Sequence, residues 1–122
     1  MWESLDFRKF PRLKIKCDIE IREAKTSFNI STVTENIGTG GVCVILDREF
    51  SRLTKVFVRL HLIDSSPPIE CHGKICWIVK SHTLFKKGNR YDTGIQFLDM
   101  NPDDKRLIKQ FIDQQPANVE NV

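Results

Sequence analysis

The chain alternates completely between apolar and charged side chains from residue 13 to residue 22, where it reads Leu13-Lys14-Ile15-Lys16-Cys17-Asp18-Ile19-Glu20-Ile21-Arg22. Successive side chains of a β-strand point to opposite faces, so a strand places all the apolar members of this run on one face. A helix cannot gather them on one side, because its period is about 3.6 residues. The run therefore predicts a half-buried β-strand at the start of the folded part of the chain.

Five further segments have the period or the composition of strands, and turn signals separate them. These segments are 27–35, 41–46, 55–63, 69–80 and 90–99. In segment 69–80, strict alternation places Trp77 on the same side as Ile75 and Val79, which predicts that Trp77 faces the interior. Six antiparallel strands with one apolar face close most naturally into a barrel, because closure leaves no exposed edge.

The period changes to that of a helix after residue 100. Asn101 is a good N-cap, Pro102 suits the first helical position, and apolar residues then recur at helical spacing. The predicted fold class is therefore mostly β, a six-stranded antiparallel β-barrel with a C-terminal α-helix, in one domain. We divide the chain into an N-terminal arm (1–12), the barrel with its helix (13–113) and a frayed tail (114–122).

Composition and charge restrict the class of protein. The 122 residues are 40% hydrophobic and 29% charged, with a formal net charge of +3, which is typical of a globular domain and not of a disordered or membrane-spanning chain. No apolar run approaches the ~20 residues that span a bilayer, and the first residues lack a secretory signal, so we expect a cytoplasmic protein without membrane insertion. Basic residues cluster near the N-terminus, where they favour an anionic partner. They are Arg8, Lys9, Arg12, Lys14 and Lys16.

The cysteine and histidine patterns indicate neither a metal site nor a catalytic site. The four cysteines are expected to be reduced thiols in the core. Cys71, His72 and Cys76 are close in sequence, but alternation puts Cys71 on the face opposite to the other two, so we expect no bound metal. No residue stands in a recognisable nucleophile setting, so we expect a binding protein without a cofactor and not an enzyme.

Two segments do not fit simple core-building. The first, Arg8-Lys9-Phe10-Pro11-Arg12, reads as an extended arm because its proline disrupts a helix interior. The second, Asn36-Ile37-Gly38-Thr39-Gly40-Gly41, has three glycines in four residues between two predicted strands. Taken singly, the first is a solvated basic arm and the second a tight hairpin turn or bulge. The second is neither a P-loop nor a dinucleotide fingerprint, because no Gly-Lys-Ser/Thr and no helix follows it.

Taken together, the two segments resemble the signature of the PilZ family, which is Arg-x-x-x-Arg before the first strand and Asn/Asp-x-Ser-x-x-Gly between the second and third strands. Arg8 and Arg12 match the first motif, and Asn36, Gly38 and Gly41 occupy the second. The similarity covers roughly residues 7 to 113. It continues in Gly73-Lys74-Ile75-Cys76-Trp77 and in Tyr91-Asp92-Thr93-Gly94-Ile95-Gln96-Phe97.

PilZ domains are bacterial receptors for cyclic di-GMP, so the resemblance implies this ligand and a PilZ-like β-barrel. It implies that Arg8 and Arg12 hold guanine and phosphate, with Lys9 as a secondary phosphate contact. An arginine fork meets the O6 and N7 acceptors of guanine in a bidentate way and also stacks on a purine face. The resemblance further implies hydrogen bonds from Asn36 to the ligand, and it suggests a guanine contact at Trp77 as the alternative to an interior position.

Three positions qualify the implied site. Gly38 replaces the family's serine, and the lost hydroxyl costs about 1 kcal/mol of binding free energy, although the Gly38 backbone N–H is expected to stay available. Gly41 is expected to leave room for close approach of the backbone. Phe7 precedes Arg8 where a further arginine would clamp a second ligand molecule, so we expect one cyclic di-GMP per site.

The expected mechanism is a switch, in which the arm folds over the dinucleotide and presents a new surface to a protein partner in trans. Two other functions stay open. One is a small barrel that binds single-stranded nucleic acid through its basic arm and its aromatic residues. The other is a PilZ-like interaction domain that has lost its ligand. Nucleic acid is the less favoured partner, because the aromatic residues mostly fall in apolar phases.

Overall fold

The computed structural model describes residues 12–26, 28–62, 66–82, 88–115 and 119–120. Within these ranges, eight strands and one helix follow each other along the chain. They are β1 (Arg12–Leu13), β2 (Asp18–Glu23), β3 (Asn29–Ile37), β4 (Gly41–Leu46), β5 (Lys55–His61), β6 (Ile69–His82), β7 (Asn89–Phe97), α1 (Pro102–Asp113) and β8 (Val119–Glu120).

Six of the strands close into an antiparallel barrel. They are hydrogen-bonded in the order β2-β5-β6-β7-β4-β3, and β3 pairs back with β2 to complete the ring. The predicted six-stranded barrel with one C-terminal helix is therefore confirmed. Closure gives each of the six strands two neighbours, so none of them presents an unpaired edge along its full length.

The core lies inside this ring and under the helix. In β2, Ile19 and Ile21 are 1% and 0% exposed while their charged neighbours face solvent, which confirms the predicted alternation for this part of the chain. Full burial of such a side chain contributes about 1.5–3 kcal/mol. Helix α1 adds Ile108 and Ile112 to the same core, and the Asn101 side chain caps it by accepting the backbone N–H of Asp103 at 2.8 Å.

The predicted strand over residues 13–22 is interrupted between β1 and β2. The Thr34 side chain takes the place of ladder hydrogen bonds there: its hydroxyl accepts the Cys17 N–H at 2.9 Å and donates to the Ile15 carbonyl at 2.7 Å. The register of β3 against β4 shifts between Thr34 and Asn36, so β3 is bulged beside this interruption. The alternation alone did not show the break, because Ile15 and Cys17 still pack on the core.

The prediction that Trp77 faces the interior is wrong. The pairing of β6 with β7 shifts between Ile75 and Trp77, so one extra residue enters β6 at this point and the side chains beyond it change face. Ile75 is 0% exposed and points inward, whereas Val79 is 55% exposed. Ile78, which strict alternation would place outside, packs against the core.

Two short strands pair with each other outside the closed ring: Val119–Glu120 lie antiparallel to Arg12–Leu13. The proposed division of the chain into arm, barrel and tail stays a prediction. Across the described ranges, the structure contains no helix that has both the length and the apolar character to cross a bilayer.

Candidate functional site

The turn between β3 and β4 is closed by its own backbone. The Gly38 N–H donates to the Gly41 carbonyl at 2.9 Å, and the Gly40 carbonyl accepts the N–H of Phe97 in β7 at 2.9 Å. The expectation that the Gly38 N–H stays available is therefore wrong, because the hairpin turn itself uses this donor. Position 38 thus offers a ligand neither a hydroxyl nor its backbone N–H.

Gly41 is a glycine because β7 lies against it. A Cβ at this position would overlap the carbonyl oxygen of Ile95. Gly41 thus leaves room for close approach of backbone, and the backbone that approaches it is that of β7, so β4 packs closely on β7. This packing fixes the position of the turn relative to the rest of the barrel.

A row of residues runs across the outer face of four strands beside this turn. Asn36 in β3 pairs with Cys43 in β4, Cys43 pairs with Gly94 in β7, and Gly94 pairs with Trp77 in β6. Asn36 and Trp77 therefore lie at the two ends of this row, three strand spacings apart around the ring. The bulge in β6 places Trp77 on the outer surface of the barrel, and its guanine contact stays a prediction.

The Trp77 indole lies over Gly94. A Cβ at Gly94 would overlap the Nε1, Cε2 and Cδ1 atoms of the indole, so only glycine accommodates the ring in this position. Trp77 is partly exposed there, and Cys43 beside it is 5% exposed. The sequence analysis missed the role of Gly94. The signal was a glycine in the strand that pairs with an aromatic residue.

The Asn36 amide oxygen is buried without a hydrogen-bond partner in the described part of the chain. Burial of such an oxygen without a donor costs about 1–3 kcal/mol, so native proteins usually supply one. A carbonyl oxygen accepts hydrogen bonds, and the N–H groups of a guanine edge are suitable donors. Among the residues of the row, the Asn36 amide oxygen is therefore the buried acceptor to which a ligand N–H group is best suited to donate.

Gln96 continues the outer face on the other side of the turn. It pairs with Gly41 on one side and with Lys74 on the other, and its Oε1 accepts the Cys76 thiol at 3.3 Å. The sequence analysis did not single out Gln96. Its alternation with the inward residues Ile95 and Phe97 was the signal for an outer position in β7.

The described backbone brings one end of the basic arm to the turn. Leu13 pairs with Ile37, so Arg12 precedes the residue that lies directly beside the end of β3. The Arg12 backbone is thus next to the segment that contains Asn36 and Gly38. Arg8 and Lys9 lie outside the described residues.

Arg90 and Asp92 form an ion pair near the row. The Arg90 Nε donates to Asp92 Oδ1 at 2.8 Å, and this hydrogen bond and the charge of Asp92 raise the pKa of the guanidinium. Asp92 pairs with Val79 in β6, two positions beyond the pair of Trp77 with Gly94. The Arg90 charge is therefore largely balanced within the protein.

The cysteines and histidines do not assemble a metal centre in the ranges that the structure covers, where no group of three or more possible ligands is found. Cys71 is 5% exposed and points inward, and burial together with the charges of Asp99 and Asp104 raises its pKa to about 12. His72 points outward, and its Nδ1 lies 2.7 Å from Asp99 Oδ2. None of the four cysteines, all of which lie in the described ranges, forms a disulfide.

Comparison with solved structures shows the same fold in several bacterial proteins. The inhibitor of motility MotI/DgrA of Bacillus subtilis superposes with a TM-score of 0.73 at 20% identity, over 93% of this chain and 53% of that one. The PilZ domain of Escherichia coli YcgR with c-di-GMP gives 0.71 at 11% identity, over 90% of this chain and 92% of that one. The K. pneumonia MrkH–c-di-GMP complex gives 0.71 at 15% identity, over 90% and 52%.

This chain thus spans about half the length of MotI/DgrA and of MrkH. No curated protein matches it. The sequence pattern of the PilZ domain, in contrast, matches residues 6–114, which include both the arginine motif and the glycine-rich turn. Because this match extends over most of the chain and the barrel has the corresponding fold, the chain belongs to the PilZ domain family.

Proposed function

We propose that this chain is a receptor domain for cyclic di-GMP and that it binds the ligand on the outer face between Asn36 and Trp77. The observation that carries the proposal is the pairing of Leu13 with Ile37, which supports a site where the basic arm meets the glycine-rich turn. The PilZ domain of YcgR and MrkH are related structures described in complex with c-di-GMP, and both share this fold.

The arm supplies the positive charge of the proposed site. Arg8 and Arg12 bind guanine O6 and N7 through paired N–H donors and also neutralise phosphate, and Lys9 is a secondary phosphate contact. A guanidinium suits this task better than an ammonium group, because it is planar and stacks on a purine while it donates in its own plane.

The barrel supplies the shape of the proposed site. The Asn36 amide oxygen, buried without a partner in the residues described here, accepts a guanine N–H group. Trp77, held over Gly94, presents its indole to a base. Gly38 and Gly41 position the turn, and the missing hydroxyl at position 38 lowers affinity by about 1 kcal/mol, which is several-fold.

The output is a change of conformation and not catalysis. The arm closes over the dinucleotide, and the closed form presents a surface to a protein partner in trans. We place this activity in the cytoplasm, where reducing conditions keep cysteines from forming disulfides, in agreement with the four cysteines of the fold, none of which is in a disulfide.

Calorimetric titration of the purified protein with cyclic di-GMP tests the proposal. We expect a stoichiometry near one, and we expect Arg8→Ala and Arg12→Ala each to weaken binding by at least tenfold, because each removes a charged hydrogen-bond donor. Arg48→Ala is the matched control, since Arg48 is exposed and its guanidinium lies 4.0 Å from the Phe28 ring, away from the turn.

Unchanged binding in both arm variants contradicts the proposed site, and a stoichiometry near two contradicts the single-ligand prediction. Absence of heat at high ligand concentration supports an interaction domain without ligand. A random single-stranded oligonucleotide that binds without competition from cyclic di-GMP supports the nucleic-acid alternative. Thermal unfolding of each variant checks that the loss of binding is not a loss of fold.

A further inference from the structure

The turn before β5 exposes a leucine in an unusual backbone conformation. Leu53 has a φ of 70°, in the left-handed region that bulky side chains rarely adopt. Its side chain is 63% exposed, which is the largest value among the large hydrophobic residues in the part of the chain that the structure describes. Neither local backbone preference nor burial explains a leucine at this position.

Hydrogen bonds to β6 hold Leu53 in place. Its N–H donates to the Ile75 carbonyl at 2.8 Å, and the Ile75 N–H donates to the carbonyl of the adjacent Thr54 at 3.0 Å. The Thr54 hydroxyl also closes the turn by donating to the Ser51 carbonyl at 2.6 Å. The two backbone hydrogen bonds of Ile75 extend the pairing of β5 with β6 as far as Leu53. The turn therefore holds the leucine in a fixed position.

Unbalanced positive charge surrounds the leucine. Arg52 precedes it, and Lys55 directly faces Lys74 across the antiparallel pair β5–β6. Like charges at directly opposite positions of a sheet repel each other. None of these three cations forms an ion pair with a carboxylate of the described ranges, where the ion pairs involve other residues.

A neighbouring row of the same strands shows the usual arrangement. Arg59 in β5 lies 3.7 Å from the carboxylate of Glu20 on one side and 3.2 Å from that of Glu70 on the other. Opposite charges thus alternate across β2, β5 and β6 in that row. Lys55 and Lys74 lie at the start of β5, four residues before Arg59, and no carboxylate of the described ranges pairs with them. The excess of positive charge is therefore local and not a property of the whole face.

We propose that Leu53, Arg52, Lys55 and Lys74, together called the Leu53 surface, bind an acidic segment of another protein. The segment packs an apolar side chain on Leu53 and places carboxylates against the three cations. Burial of apolar surface at the centre of a contact, with charge complementarity around it, is the common pattern of protein interfaces. A nucleic acid would satisfy the cations but would leave a fixed, exposed leucine without a role.

This proposal goes beyond ligand binding and does not depend on it. The Leu53 surface adjoins the proposed ligand site, because Ile75 directly precedes the bulge that carries Trp77, and Lys74 pairs with Gln96. A partner bound there would contact the strand that holds the ligand face. The test below therefore measures partner binding and cyclic di-GMP binding separately.

The probe is a short synthetic peptide that has a central leucine between glutamates, titrated into the isotope-labelled full chain and followed by amide chemical shifts. We expect shifts concentrated at residues 52–55 and 73–76. A peptide with glutamines in place of glutamates, and one with serine in place of the leucine, are expected to bind at least about fivefold more weakly.

Variants of the protein give the complementary measurement. Leu53→Asn removes the apolar side chain and keeps a residue that tolerates a positive φ, so the turn is preserved and peptide affinity falls about fivefold. Lys55→Gln with Lys74→Gln lowers affinity about tenfold and weakens its dependence on salt. Lys105→Gln, an exposed lysine on α1, is the control and leaves affinity unchanged.

The proposal is overturned if the peptide at millimolar concentration shifts no amide in these two segments. It is also overturned if a single-stranded oligonucleotide produces the same shifts with equal affinity and Leu53→Asn has no effect on either probe. Cyclic di-GMP titrations of the wild type and of Leu53→Asn are run in parallel. If the peptide binds and cyclic di-GMP does not, the ligand proposal is contradicted and the peptide proposal stands.

Discussion

At the scale of single residues, the outer face depends on a glycine that faces an aromatic ring. Gly94→Ala adds a Cβ into the space of the Trp77 indole, so the ring must leave its position over β7. We expect a loss of about 1–3 kcal/mol in unfolding free energy, because the ring has packed neighbours on the strand below it. We also expect weaker cyclic di-GMP binding and a shift in Trp77 fluorescence.

The fluorescence measurement uses Trp2→Phe as the background, so that Trp77 is the single remaining tryptophan. Gly88→Ala is the control for backbone strain without overlap, because Gly88 has a φ of 104°, which strains any other residue, but no atom within 4 Å of an added Cβ. It is expected to lower stability without a shift in Trp77 emission. An unchanged Trp77 emission in Gly94→Ala would show that the indole does not lie over Gly94.

Residue types indicated some members of the site and hid others. Asn36 was found because its spacing from the glycines matched a motif, and the register of Leu13 with Ile37 brings the Arg12 backbone beside it. The Gly38 N–H was misjudged, because a sequence does not show which donors a turn uses internally. Gln96 was missed, since a partly buried polar residue in a strand has no signal of its own until the face of the strand is known.

At the scale of elements, two bulges decide where the predicted alternation stops. Alternation describes β2 well and also describes β6 as far as Ile75, because each of these segments has one apolar face. An inserted residue then reverses the faces of β6, and the apolar Ile78, in the phase predicted to be outside, was the sequence signal of that reversal. The period of two thus predicts strands and their core face but not the position of a bulge.

The Thr34 hydroxyl helps to hold the connection between β1 and β2, together with the Thr34 N–H, which donates to the Cys17 carbonyl at 2.9 Å. Thr34→Val keeps the shape of the side chain but leaves the Cys17 N–H without its acceptor and the Ile15 carbonyl without its donor. We expect a loss of about 1–3 kcal/mol in unfolding free energy, measured by urea denaturation. Cyclic di-GMP affinity is also expected to fall, because the connection sets the position of β1 and of the arm before it.

Thr32→Val is the matched control on the same strand. Thr32 is partly exposed and pairs with Ile19 through the backbone, so its hydroxyl has no comparable role in the connection. Equal stability of Thr34→Val and Thr32→Val would contradict the assigned role of Thr34. If Thr34→Val lowers the unfolding free energy but not the cyclic di-GMP affinity, the Thr34 hydrogen bonds do not set the position of the arm.

At the scale of the whole molecule, one carboxylate ties the barrel wall to the chain that leads into the helix. Asp99 follows β7, and its two oxygens accept the His72 backbone N–H at 2.6 Å and meet the His72 ring nitrogen at 2.7 Å. The hydrogen bonds from the His72 ring and backbone lower the pKa of Asp99. The adjacent Leu98 N–H also donates to the His72 carbonyl, so this joint fixes the approach to α1.

The lowered pKa of Asp99 gives the stability of the fold a defined dependence on pH. A carboxyl that is more acidic when folded stabilises the protein above its ordinary pKa of about 4, and this contribution is lost as pH falls through the lowered folded value. Asp99→Asn is therefore expected to unfold more easily at neutral pH and to lose less stability on acidification, because its amide does not titrate. Urea denaturation across a pH series measures both effects.

Asp47→Asn, at an exposed position away from the contact of Asp99 with His72, serves as the control and is expected to follow the wild type. A parallel loss of stability in Asp99→Asn and the wild type below pH 4 would show that other carboxyls cause the acid dependence. In that case the contact of Asp99 with His72 would not be what makes the unfolding free energy fall at acid pH.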